Sequence, residues 1–112
     1  MSWVDPSGNF WIYGGYGYSN LSNGIGTLGD LWEFSPSSGE WTWMAGTLVA
    51  GAPPVYGMQG APASGNTPGA RTYSSAWADI SGNLWLFGGG TGLNTMLGTP
   101  ANVNDDLWEF VP

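Results

Sequence analysis

Short apolar runs, each bounded by glycine, serine, asparagine or proline, recur along the 112 residues of the chain. Residues 10–13 (FWIY) and 84–87 (LWLF) are apolar at consecutive positions, which is typical of strands covered on both faces. In residues 31–34 and 107–110, both LWEF, alternation places Trp and Phe on one face and Leu and Glu on the other. The pattern predicts strands close to residues 9–13, 30–34, 40–44, 72–78, 83–87 and 105–110, and no helix longer than one turn.

The chain contains an internal repeat. Residues 5–15, DPSGNFWIYGG, match residues 79–89, DISGNLWLFGG, at seven of eleven positions with an offset of 74, and Trp3 falls on Trp77 at the same offset. Residues 30–34, DLWEF, recur unchanged at 106–110 with an offset of 76. Because the two blocks stay collinear at nearly one spacing, we interpret them as a duplicated supersecondary unit.

The repeat divides the chain into three parts. Residues 1–46 form a first unit with four predicted strands, A to D, whose strand A is shortened and begins only at Ser2 or Trp3. Residues 47–69 form a connector rich in Gly, Pro and Ala. Residues 70–112 form a second unit with strands A to C, which leaves an unpaired edge on its strand C.

A di-glycine follows strand B in both units, as Gly14-Gly15 and Gly88-Gly89. We expect Gly15 and Gly89 to need a positive φ or a very close backbone neighbour, because only glycine tolerates either at little cost.

Four short antiparallel strands, a di-glycine after the second and tryptophan on the fourth resemble the kelch repeat of β-propellers. The resemblance implies an all-β fold class, with kelch-like blades of four-stranded antiparallel sheets. The chain would supply two blades, the second without its outer strand, and so only a partial propeller, since propellers have about 4–8 blades. The period of 74 to 76 exceeds the roughly 50 residues of a kelch repeat, and the excess lies in the B–C loops and the connector. The residues that carry the resemblance are Gly14, Gly15, Gly88, Gly89, Asp30, Trp32, Asp106, Trp108, Trp41 and Arg71.

The charge balance is strongly acidic. Eight acidic residues face a single base, Arg71, which gives a net charge of −7. Phosphate groups are bound through Lys and Arg, so we expect neither nucleic acid nor an anionic membrane surface as a partner. The absence of Cys and His removes disulfides, thiolate chemistry and the commonest acid–base group and metal ligand.

The same absences bear on enzyme activity. Some kelch-like propellers belong to the galactose oxidase group, whose copper site needs His and a Cys-linked Tyr, and this chain has neither His nor Cys. A glycosidase with a carboxylate pair stays open as an alternative, because two acids can act without His. However, Asp5 and Asp79 precede Ser-Gly-Asn turns, and Asp30 and Asp106 precede strand C, so we interpret each pair as a repeated turn or cap. We expect no enzyme activity, no catalytic residue and no cofactor.

Two polar segments remain. Asn102, Asn104, Asp105 and Asp106 form an oxygen-rich cluster, but their spacing matches no calcium-binding loop, so a polar turn is the better interpretation and no metal site is expected. The triplet at residues 20–22, Asn-Leu-Ser, fits the acceptor pattern for N-glycosylation and indicates a surface loop.

Aromatic side chains are the candidate ligand-binding groups. Tyr16 and Tyr18 lie among glycines that lead into a B–C loop and suit stacking on sugars or peptide side chains, with packing on a neighbouring blade as the alternative. Trp41 and Trp43 share one face of the predicted outer strand, where that face can contact solvent. Arg71 is expected to pair with a carboxylate inside the protein, with ligand binding at the mouth of the channel as the alternative.

These features favour a non-catalytic interaction and assembly module. Kelch-type blades would self-associate into a closed propeller or larger assembly and bind a partner through rim loops. We expect a homo-oligomer of two to four chains, preferably a trimer, with a glycan or protein as further ligand. A carbohydrate-binding module that uses loop aromatics, and a fragment of a larger secreted kelch-propeller protein, are the alternatives. The low content of charged residues, the absence of Cys and the similarity to secreted bacterial kelch proteins predict an extracellular location.

Overall fold

A computed structural model of the chain describes residues 1–19, 24–92 and 102–112. The described residues form β-strands, turns and irregular segments without any helix, so none of them could cross a membrane as a helix. The nine strands in these ranges are β1 (Ser2–Val4), β2 (Phe10–Tyr18), β3 (Ile25–Ser35), β4 (Glu40–Thr47), β5 (Ser75–Ala78), β6 (Leu84–Phe87), β7 (Gly90–Thr91), β8 (Asn102–Val103) and β9 (Leu107–Phe110).

The strands form two main antiparallel sheets, one from each repeat. The first sheet has the order β1-β2-β3-β4, so each strand pairs with its neighbour in sequence. The second has the order β5-β6-β9, and β7 pairs with β8 as a short two-stranded ladder. Both sheets are open, and every pairing is antiparallel. The all-β class and the antiparallel sheets expected from the sequence are therefore confirmed.

The six expected strands are all present, but their ends differ. The strand expected at 72–78 begins only at Ser75, because Tyr73 has a φ of 59° and the left-handed conformation interrupts an extended strand. The strand expected at 105–110 begins at Leu107. Opposite it, Gly88 and Gly89 have φ values of 68° and 82°, which separate the β6–β9 pairing from the β7–β8 pairing.

The hairpin between the second and third strands of each repeat is longer than expected. Beyond Gly14 and Gly15, β2 continues to pair with β3, with Tyr16 opposite Thr27 and Gly17 opposite Gly26. The β7–β8 ladder repeats this register at the offsets of 74 and 76, with Gly90 opposite Val103 and Thr91 opposite Asn102. Residues that the sequence assigns to B–C loops are thus hairpin extensions. The glycosylation triplet at 20–22 lies outside the described residues.

Gly15 and Gly89 have positive φ, 123° and 82°, as expected from the sequence. A β-carbon on Gly89 would meet the carbonyl oxygen of Thr72 at 2.6 Å and the hydroxyl of Ser74. A β-carbon on Gly15 would have no neighbour within 4 Å. Both glycines therefore have a backbone conformation that favours glycine, and at Gly89 the close approach of residues 72 and 74 also leaves no room for a β-carbon.

The core lies between the two sheets. Side chains alternate along each strand, and residues opposite one another on paired strands share a face. The first sheet contributes Trp11, Tyr13 and Leu31, and the second contributes Leu84 and Leu86, all buried. Trp11 and Phe110 meet across the interface with ring centroids 6.0 Å apart. Half-buried residues complete the contact: Met1, Trp3, Ala45, Ala76, Ala78, Trp108 and Phe110.

The connector, residues 47–69, is attached to the sheets by hydrogen bonds, although residues 55–65 within it are exposed to solvent. Val55 and Thr67 form an antiparallel bridge within it. Tyr56 stacks on Trp108 at 5.4 Å and donates a hydrogen bond to the Asp106 carboxylate at 3.0 Å. The connector is therefore attached to the second sheet.

Candidate interaction surfaces

The outer side of the first sheet carries a broad row of apolar side chains. The register places Val4, Phe10, Phe34 and Trp41 opposite one another, and Ile12, Trp32 and Trp43 in the next row on the same side. The Phe34 ring lies 6.2 Å from that of Phe10 and 5.1 Å from that of Trp41. We call this surface the Phe10 face: Val4, Phe10, Ile12, Trp32, Phe34, Trp41 and Trp43.

The outer side of the second sheet carries a smaller aromatic surface. Trp77 and Trp85 lie opposite one another on β5 and β6, with their rings 6.2 Å apart and nearly parallel at 3°. Phe87 and Leu107 are paired across β6 and β9 on the same side, and both are about half exposed. We call this surface the Trp85 face: Trp77, Trp85, Phe87 and Leu107.

Carboxylates fix several of the tryptophans. The Asp79 carboxylate accepts hydrogen bonds from the indole Nε1 of Trp85 at 3.0 Å and from the backbone amides of Ser81 and Asn83. Asp5 accepts the matching set, with Trp11 Nε1 at 2.9 Å. The hydrogen bonds from Trp85 and from the turn favour the ionised carboxylate and lower the pKa of Asp79. At Asp5, burial acts to raise the pKa, but the hydrogen bonds outweigh this effect and the pKa is lowered.

The same arrangement recurs before the third strands. Trp32 Nε1 donates to Asp30 at 2.7 Å, and Trp108 Nε1 donates to Asp106 at 2.8 Å. Asp5 and Asp79 thus cap turns, as expected, whereas the expectation of a turn or cap is wrong for Asp30, which lies within β3, and for Asp106; these two carboxylates hold tryptophan rings instead.

Arg71 lies inside the protein with none of its side chain exposed. Its guanidinium makes five hydrogen bonds, to the carbonyls of Pro68 and Gly88 and to both oxygens of Asp106. The NH1-to-carboxylate distance is 2.7 Å. Burial acts to raise the pKa of Asp106, but hydrogen bonds from Arg71, Trp108 and Tyr56 and the charge of Arg71 lower it to about 2. The expected internal ion pair is confirmed, and all five N–H groups are used by the protein itself.

The other candidate ligand-binding residues separate into two places. Trp41 and Trp43 lie together on β4, within the Phe10 face. Tyr16 and Tyr18 lie on the hairpin extension of β2, where Tyr18 is 80 % exposed and neither packs on the second sheet as a core residue. The structure therefore brings the two tryptophans together and keeps both tyrosines and Arg71 away from them.

The described residues contain no group of three or more His, Cys, Asp or Glu side chains that could hold a metal ion. A shallow groove of about 300 Å³ lies between the two Ser-Gly-Asn turns and includes Asp5, Ser7, Ile80 and Asn83 in its lining. The Asp5 oxygens there already accept hydrogen bonds from the turn and from Trp11.

Sequence analysis did not single out Val4, Ile12, Phe87 and Leu107, which contribute to the open faces. Their signal is present in the sequence, because strands that are apolar on consecutive positions have two apolar faces. Only the stacking of the sheets decides which of the two faces stays open.

No protein-family model, no curated protein and no solved structure matches this chain. Fold and surfaces define it as an all-β chain of two stacked antiparallel sheets, each with one apolar face open to solvent.

Proposed function

We propose that this chain is a non-catalytic interaction and assembly module whose two kelch-like sheets act as propeller blades and associate with further blades through their open faces. The observation that carries the proposal is the exposure of the Phe10 and Trp85 faces, on opposite sides of the stacked pair. Soluble monomers seldom expose contiguous apolar patches of this kind unless the patch binds something.

The energy of burial supports association. If each contact removes about 400 Å² of apolar surface from water, it contributes roughly 10 kcal/mol at about 25 cal/mol per Å². Loss of translational and rotational freedom costs about 4–15 kcal/mol, so at the lower end of this cost about 6 kcal/mol remains, which corresponds to a dissociation constant of tens of micromolar. The net charge of −7 opposes association, and salt weakens that repulsion.

The kelch resemblance sets the expected size of the assembly. With two sheets per chain, a propeller of about 4–8 blades needs two to four chains. We favour three chains and six blades. Absent His and Cys, and carboxylates occupied by structural hydrogen bonds, support a binding role over catalysis.

Size-exclusion chromatography coupled to multi-angle light scattering tests the proposal. We expect the purified chain to elute at two to four times its mass of 11.8 kDa, with the larger species favoured at higher ionic strength. A well-folded species with the mass of one chain, persisting at several hundred micromolar at both low and high ionic strength, would contradict it.

A further inference from the structure

The two sheets of one chain pack head to tail, which means that the side used by the first sheet and the side used by the second are not equivalent in the repeat. The first sheet presents Trp3, Trp11, Tyr13 and Leu31 to the interface. At the repeat offsets of 74 and 76 these residues correspond to Trp77, Trp85, Phe87 and Leu107, which form the open Trp85 face. A surface that is buried in the first repeat is thus exposed in the second.

The reverse holds for the other side of the interface. The second sheet presents Ala78, Leu84, Leu86, Trp108 and Phe110 to the core. Their counterparts in the first repeat are Val4, Phe10, Ile12, Trp32 and Phe34, which lie on the open Phe10 face. The two sheets therefore stack in the same direction. Each chain exposes a second copy of both surfaces that meet in its internal interface.

We infer that the Trp85 face of one chain packs on the Phe10 face of a second copy, and so repeats between chains the contact made within each chain. The inference rests on the proposed assembly function and names its partner surfaces. The internal contact between Trp11 and Phe110, at 6.0 Å, has its counterpart between Trp85 of one copy and Phe34 of the next.

The Trp85 face is already ordered for this contact in the single chain. Asp79 holds the Trp85 indole through the same hydrogen bond that Asp5 provides to Trp11, at 3.0 Å and 2.9 Å. The stacked Trp77 ring supports it from the neighbouring strand. A side chain that is fixed before binding loses less conformational entropy when it binds.

Because the two faces differ, the contact is heterologous. A heterologous contact closes into a ring if the rotation per subunit allows it, and otherwise continues as a filament, whereas a two-fold dimer joins identical surfaces. On the Phe10 face, Trp41 and Trp43 of β4 enlarge the surface available for contact. The described part of the second sheet has no counterpart of β4.

A pair of single-face variants tests the inference. Ile12→Glu blocks the Phe10 face, and Phe87→Glu blocks the Trp85 face. Both positions should lie inside the contact between chains, because their repeat counterparts, Leu86 and Tyr13, are buried in the internal interface. Ile80→Glu is the matched control, because it adds the same charge at a fully exposed residue of a turn, outside both faces. Circular dichroism spectra, compared with that of the wild type, check that each of the three variants is folded.

By native mass spectrometry and light scattering, we expect Ile80→Glu to assemble like the wild type and each face variant alone to have the mass of one chain. An equimolar mixture of the two face variants should form a dimer with one copy of each, because one intact Phe10 face and one intact Trp85 face remain.

Other outcomes separate the inference from the proposed function. If the wild type assembles but either face variant alone still forms dimers, the contact joins identical faces and the inference is wrong while assembly stands. A mixture that stays monomeric, beside a wild type that assembles, also overturns the inference. A monomeric wild type overturns both proposals.

Discussion

The two repeats fold in the same way around their first turn but differ in how their third strand is anchored. Asp5 and Asp79 accept equivalent sets of hydrogen bonds, down to the tryptophan indole. Asp30 and Asp106 both accept an indole hydrogen bond, but only Asp106 also binds an arginine. Since Arg71 is the only base in the chain, the two repeats cannot both have this ion pair.

The difference follows the extent of each sheet. In the first sheet, β2 and β3 have nine and eleven residues, and β4 adds a fourth strand with a long ladder. In the second, β5, β6 and β9 have only four residues each. There Arg71 joins the connector, the end of β6 and the start of β9 through Pro68, Gly88 and Asp106. In the second sheet, the hydrogen bonds of Arg71 thus connect segments that backbone hydrogen bonds between strands connect in the first sheet.

Removal of the charge at Asp106 should have the largest effect on this comparison. Asp106→Asn leaves the buried Arg71 charge without its counterion, and loss of one partner of a buried pair typically costs about 3–5 kcal/mol. Asp30→Asn weakens only the hydrogen bond from Trp32 and should cost about 1 kcal/mol. Urea unfolding followed by circular dichroism measures both, at one protein concentration because association adds stability.

Asp30→Asn is the matched control, since it makes the same chemical change at the same repeat position. Equal losses in the two variants would show that the ion pair does not distinguish the repeats.

Acid should weaken the second repeat more than the first. The pKa of Asp106 is about 2 in the folded protein, against about 3.9 for an unfolded aspartate, so its pairing stabilises the fold fully above about pH 4. Solvent screening of this partly exposed carboxylate reduces the contribution to about 2 kcal/mol, which is lost as the pH falls from about 4 to about 2. Urea midpoints between pH 6 and pH 2 should therefore fall more steeply in the wild type than in Asp106→Asn.

Asp5 and Asp79 also have lowered pKa values and leave a residual acid dependence in both proteins. The same slope in the wild type and in Asp106→Asn would contradict the assignment of this part of the acid dependence to Asp106.

The strand pattern and the turn caps at two carboxylates could be predicted from the sequence because they depend on local features. Alternation in the LWEF segments fixes which side chains share a face, and the Ser-Gly-Asn turns identify the caps at Asp5 and Asp79. The hairpin extensions could not be predicted in this way. Residues 14–18 and 24–29 are rich in glycine, which has low strand propensity, and their pairing depends on the ladder that precedes them.

The partner of Arg71 and the open faces also lay beyond the local pattern. Arg71 and Asp106 are 35 residues apart, and eight acids were available to one base. Likewise, the strands at 10–13 and 84–87 show two apolar faces each, and only the direction of stacking leaves Ile12 and Phe87 outside. Long-range packing, which single-sequence patterns do not encode, decided both.

The smallest expected difference concerns the second glycine of each di-glycine. Both positions have a positive φ that L-residues rarely adopt, so valine at either place introduces backbone strain. Gly89→Val also forces a side chain against the Thr72 carbonyl, 2.6 Å from the β-carbon, and the Ser74 hydroxyl. Gly15→Val meets no neighbour within 4 Å of its β-carbon. We expect a cost of roughly 1–3 kcal/mol for Gly89→Val and about 1 kcal/mol for Gly15→Val, measured as thermal midpoints at one protein concentration.

Ser74→Ala removes one of the clashing groups, so the double variant Gly89→Val with Ser74→Ala should lose less stability than the sum of the two single variants. An unchanged midpoint for Gly89→Val would argue against the close approach of residues 72–74 to the end of β6, whereas equal losses at Gly15 and Gly89 would assign the whole effect to φ.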